Sequence, residues 1–110
     1  MSRADLWLYV AQRASAMVLA PLVFIHLITI VIAIQGGLTA AEILDRTQGS
    51  IIWGFLYSLF VVAAAVHGAI GLRSIVKEMT LWRGKSLDIS MGLFGLVLLY
   101  LGMRAVMAVV

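Results

Sequence analysis

The sequence predicts an all-α integral membrane protein, a three-helix bundle with its N-terminus cytoplasmic and its C-terminus on the opposite side. Two observations carry this. Hydrophobic residues make up 64% of the 110 positions and charged ones 12%, with a mean hydropathy of +1.11, whereas a soluble domain is roughly 45–50% apolar. The apolar residues also fall into three long runs, each near the roughly 20 residues that cross a hydrocarbon core of about 30 Å.

The first run, Ala14 to Gln35, carries no charge. The second, Ser50 to Leu72, is also uncharged, and the third, Ile89 to Val110, contains only Arg104. We therefore expect spans at about 14–35, 50–72 and 89–110 within one transmembrane domain covering 1–110. The residues before the first run combine Arg3 and Asp5 with Trp7 and Tyr9, which is unlike a cleavable signal peptide, so the first run is expected to be retained. Between the first two runs, Thr39 and Glu42 have capping-box spacing and predict a short surface helix followed by a turn at Gly49. In the second loop Gly84 is expected to turn the chain and Asp88 to cap the third span.

Lys and Arg are distributed unevenly. Arg3, Arg13, Arg73, Lys77, Arg83 and Lys85 fall on one side of these spans, and Arg46 and Arg104 on the other. The positive-inside rule then places the N-terminus and second loop in the cytoplasm, with the protein in the inner (cytoplasmic) membrane. Trp7, Tyr9 and Trp82 fall near the inner interface, and Trp53 and Tyr100 near the outer one, as an aromatic belt requires.

Cysteine is absent, which excludes disulfides, thiolate metal sites and iron–sulfur ligation by this chain. Any metal must use other donors. The only two histidines, His26 and His67, both lie inside spans, where an imidazole without a partner is costly and is therefore a candidate for function. A helix-to-helix hydrogen bond is the plainer reading of each. His67 has Ala63, Ala64, Gly68 and Gly71 around it on a helix, small residues that let a flat macrocycle or a second backbone approach. His26 has the bulkier Leu22, Val23, Thr29 and Ile30. At 1.5 Å per residue, His26 lies about 18 Å and His67 about 7.5 Å from the inner end. Two axial ligands of one iron need similar depth, so each histidine requires a partner from another chain. Either two haems are bound, or one haem on His67 with His26 in a packing role.

Arg13 and Ser15 open the first span and can donate to a haem propionate or a quinone carbonyl. Arg73, six residues after His67, is within reach of a propionate. The bland alternatives are helix anchoring at the phosphate level and solvation.

Gln12-Arg13-Ala14-Ser15-Ala16 and His67-Gly68-Ala69-Ile70-Gly71-Leu72-Arg73 resemble the cytochrome b and small membrane-anchor subunits of succinate dehydrogenase and fumarate reductase. In that family the first span opens with Arg, one residue, then Ser or Thr, and the second carries His-x-x-x-Gly with an acidic residue eleven positions on, here Glu78. The resemblance implies a haem b axial ligand at His67, a quinone site near Arg13 and Ser15, and electron transfer between quinone and an iron–sulfur subunit in the tricarboxylic acid cycle. It implies as partners a second membrane-anchor subunit, the iron–sulfur subunit and a flavoprotein subunit that performs the dicarboxylate chemistry. No nucleic acid is involved, and this chain is expected to be a non-catalytic electron-transfer and anchor subunit. Gln12 stands where these cytochromes often have His. His26 resembles the first-helix histidine of two-haem members, in which first-helix histidines hold the distal haem. The rivals are a haem-free structural anchor and a small multidrug-type transporter, but the latter needs a membrane-embedded carboxylate and usually four spans. All five acidic residues here lie in loops or at span ends.

Overall fold

The computed structural model describes residues 2–110, and it is built from helices alone. In chain order these are α1 (Arg3–Gly36), α2 (Ala40–Thr47), α3 (Ile51–Met79) and α4 (Lys85–Val109). Three of them, α1, α3 and α4, are long and apolar enough to cross a membrane. All three have apolar residues around the whole circumference, as helices bathed in lipid do.

The helices outrun the hydrophobic segments from which they were expected. α1 has 34 residues, about 51 Å at 1.5 Å per residue, so its first eleven residues continue past the span predicted from Ala14. Its start is set by a capping box. Ser2 Oγ accepts from the Asp5 backbone N–H at 3.1 Å, and the Ser2 N–H donates to Asp5 Oδ2 at 3.3 Å. α3 likewise continues seven residues beyond Leu72, to Met79. Hydropathy reports where lipid begins, whereas caps and hydrogen bonds decide where a helix stops.

The short helix after the first span forms as expected. The Thr39 hydroxyl accepts from the Glu42 N–H and the Glu42 carboxylate accepts from the Thr39 N–H. Gly49 follows at φ +75°. The third span differs from the expectation at its start. Gly84, at φ +93°, is the N-cap, so α4 begins at Lys85 and Asp88 lies within its first turn instead of capping it. The reason is a better partner for that carboxylate: Arg73 Nε donates to Asp88 Oδ1 at 2.7 Å.

α3 is the central helix. It packs along both α1 and α4, whereas α1 and α4 scarcely meet. The α3–α4 seam is close because it is lined with small residues. A methyl group placed on Gly95 would lie 3.1 Å from Ala69 Cβ, and one on Gly102 would lie 2.5 Å from a Val61 methyl carbon. Gly95 and Gly102 are seven residues apart and so share one helix face, in the manner of small-residue seams between transmembrane helices. α2 lies across the far end of α4, where Thr47 Oγ1 donates to the Val109 carbonyl at 2.5 Å and the Gly49 N–H donates to the Val110 carbonyl at 3.0 Å. Carbonyls that the end of α4 leaves unpaired are thereby satisfied.

Little of the apolar surface is covered by the chain itself. The buried hydrophobic residues are Leu22, Ala63, Ala65, Leu87 and Val106, while Met17, Phe24 and Ile34 on α1 are 63–76% exposed. The antiparallel order gathers Arg3, Arg13, Arg73, Lys77, Arg83 and Lys85 toward one end and leaves Arg46 and Arg104 toward the other.

Candidate functional site

Toward the basic end of the bundle, α1 and α3 meet at Ser15 and His67. Ser15 is buried and His67 half-buried. The Ser15 hydroxyl donates to the Gln12 carbonyl at 3.0 Å, the usual back-bond of a helical serine. The same oxygen lies 3.4 Å from His67 Nδ1. Among the described residues the other ring nitrogen, Nε2, has no hydrogen-bond partner.

One turn nearer the basic end, the Gln12 side chain fills the space opposite Gly71. A methyl group on Gly71 would sit 3.3 Å from Gln12 Nε2. Gln12 Oε1 is buried and accepts no hydrogen bond among the described residues. A buried acceptor in this condition calls for a donor from outside the chain or from water.

Of the two uses expected for the small residues around His67, a flat ligand or a close second backbone, the structure shows the second. Ala63 is buried, Gly68 faces Leu98 of α4, and Gly71 faces Gln12 of α1. Their small size admits the neighbouring helices of the same chain. Spacing alone cannot distinguish a ligand cradle from a helix seam, because both require the same residues.

The two arginines go elsewhere. Arg13 is exposed, and two residues on a helix place it about 200° from Ser15, on the side away from α3. Its guanidinium carbon lies 5.9 Å from the centroid of the Tyr9 ring, one turn earlier on the same face. Arg73 is held across the α3–α4 loop by Asp88, the carboxylate expected to cap the third span.

His26 is set apart from this cluster. It is exposed on α1 and its ring centroid lies 5.1 Å from that of Phe60, with the planes tilted by 48°. Phe60 precedes His67 by seven residues, about 10.5 Å along α3, and Ser15 precedes His26 by eleven, about 16.5 Å along α1. By either route the two imidazoles stand at different heights and cannot face each other across one iron. His26 borders two adjoining cavities. One, of about 320 Å³, is lined by Tyr57, Phe60, Val61 and Gly102 among others. The second, of about 300 Å³, adds Arg46, Trp53 and Thr29. Tyr57 and Phe60 were not singled out in the sequence, although both lie on α3 within ten residues of His67.

No group of three or more His, Asp or Glu side chains converges among the described residues. A non-haem metal centre needs such a cluster, but a porphyrin brings four nitrogens of its own and asks the protein for one or two axial donors.

No curated protein and no solved structure matches the chain. The family model described as succinate dehydrogenase/fumarate reductase transmembrane subunit matches residues 1–109. Three helices able to span a membrane, with both histidines on two of them, and a match over nearly the full length agree: the chain belongs to the succinate dehydrogenase/fumarate reductase transmembrane subunit family.

Proposed function

We propose that this chain anchors a succinate or fumarate:quinone oxidoreductase in the inner membrane, and that His67 supplies an axial ligand to haem b. The observation that carries the haem reading is the environment of His67. One ring nitrogen is engaged by Ser15, and the other has no hydrogen-bond partner among the described residues. Axial histidines are commonly held in this way, with the non-ligating nitrogen fixed by an outer-shell acceptor. The residues therefore fit a haem. When bound, haem b supplies a one-electron relay between quinone and an iron–sulfur subunit.

The rest follows from what each residue is free to do. His26 stands at another height, so a second histidine for the same haem would have to come from a second membrane subunit. Arg13, with Tyr9 and away from α3, is positioned to meet such a subunit, a quinone carbonyl or a propionate. Ser15 and Arg73 are engaged within the chain, which weakens their direct role at a quinone or propionate. The basic end is taken as cytoplasmic, where the iron–sulfur subunit and, on it, the flavoprotein subunit dock.

A second haem on His26 is supported by its exposure beside the cavities near Tyr57 and Phe60. A haem-free anchor is the opposing reading, in which the Ser15–His67 contact is packing alone. Co-purification of the chain with its partner subunits, followed by a reduced-minus-oxidised spectrum, tests the assignment. A b-type difference band, with an iron–sulfur and a flavin-bearing subunit in the preparation, is expected. An assembled complex without that band refutes the haem reading.

A further inference from the structure

We propose that Ser15 is a positioning residue that sets the tautomer of His67 and thereby presents Nε2 as the iron ligand. The inference rests on the reading of His67 as an axial ligand. A serine hydroxyl has one proton and two lone pairs. Here the shorter of the two contacts, 3.0 Å against 3.4 Å, gives the proton to the Gln12 carbonyl, which can only accept. The hydroxyl oxygen can then meet His67 Nδ1 at 3.4 Å only as an acceptor. Nδ1 must therefore carry the hydrogen, and in a neutral imidazole the lone pair is then on Nε2.

The chain Nδ1–H to Ser15 Oγ, and Ser15 O–H to the Gln12 carbonyl, ends on the backbone of α1. It transmits the rigidity of that helix to the ring on α3. Burial of Ser15 keeps water from offering Nδ1 an alternative partner. Donation from Nδ1–H also raises the basicity of Nε2, which favours the ferric state of a coordinated iron. The contact is long for a hydrogen bond, so its effect is a tuning of the ligand and not its creation.

The test uses the full complex with Ser15→Ala and Ser15→Thr. Ser15→Ala is expected to hold haem about tenfold to a hundredfold less tightly, the usual loss with an outer-shell partner. The haem it retains should show a midpoint potential shifted to a more positive value. Ser15→Thr keeps the hydroxyl and is expected to restore both. An unaltered potential and haem content in Ser15→Ala would overturn the inference, as would a Ser15→Thr protein that behaves like Ser15→Ala. A purely packing role predicts no shift in potential. His67→Ala separates the two failures. If His67→Ala abolishes the haem signal while Ser15→Ala is silent, only the positioning role falls. If His67→Ala keeps its haem, the ligand reading itself falls.

Discussion

Arg73 Nε donates to Asp88 Oδ1 at 2.7 Å, tying the basic end of α3 to the first turn of α4 across a loop of five residues, Thr80 to Gly84. The Arg73 side chain is 18% exposed and the Asp88 side chain 55%. A pair this open to solvent contributes about 0.2–1 kcal/mol. Arg73→Ala and Asp88→Ala should each lower the melting temperature of the purified complex slightly, and the double variant should be less destabilised than the sum. Full additivity in that double-mutant cycle would mean that the two groups do not interact in the assembled protein.

Gly102 is the tightest point of the α3–α4 seam. A Cβ there would lie 2.5 Å from a methyl carbon of Val61, a β-branched side chain with little freedom to move. Gly102→Ala is therefore expected to destabilise the bundle by about 1–3 kcal/mol, the range for overpacking. Val61→Ala in the same chain should recover most of that loss. Thermal unfolding monitored by circular dichroism in detergent reads both. A Gly102→Ala protein as stable as the wild type would show that the seam is looser than described.

The first turn of α1 should respond to acid. Hydrogen bonds from the Ser2 side chain and then its backbone hold the Asp5 carboxyl below its ordinary value of 3.8. A depressed carboxyl stabilises the folded turn at pH values above the unfolded value, and that contribution disappears as pH falls through the lowered one. Hydrogen exchange of the Asp5 amide should accordingly show protection at neutral pH, relative to the intrinsic rate, that fades below about pH 3.8. Ser2→Ala should weaken it at every pH. Equal protection in wild type and Ser2→Ala would remove the capping box from the account.

Substitution of His26 tests the proposed second haem. If it holds a second haem, His26→Ala should lose about half of the haem per complex while leaving the signal attached to His67. If it only packs against Phe60, haem content stays constant and the change is one of stability. Pyridine haemochrome quantification of the two complexes distinguishes these outcomes.

The three spans, the short capped helix and the turns at Gly49 and Gly84 were legible in the sequence because each depends on local chemistry. Hydropathy marks lipid, and Thr39 with Glu42 is a local hydrogen-bonding pattern. The ends of α1 and α3 were not, since both helices run on through polar residues that hydropathy counts as loop. Asp88 was misassigned for a related reason. Its partner, Arg73, is 15 residues away, and only the folded hairpin shows that the carboxylate serves a guanidinium and not a helix end. At the site, His67 and Ser15 were each visible as candidates from composition and position. Their contact, across 52 residues, was not. The small residues beside His67 suit a flat ligand or a second backbone equally in the sequence, and only the folded chain shows helices of the same chain packed against Ala63, Gly68 and Gly71.

The most direct measurement is the reduced-minus-oxidised spectrum of the assembled complex carrying His67→Ala. Loss of the b-type band attached to this position, with the subunits still assembled, is the result predicted by axial ligation through His67. An unchanged b-type band in an assembled His67→Ala complex would contradict it.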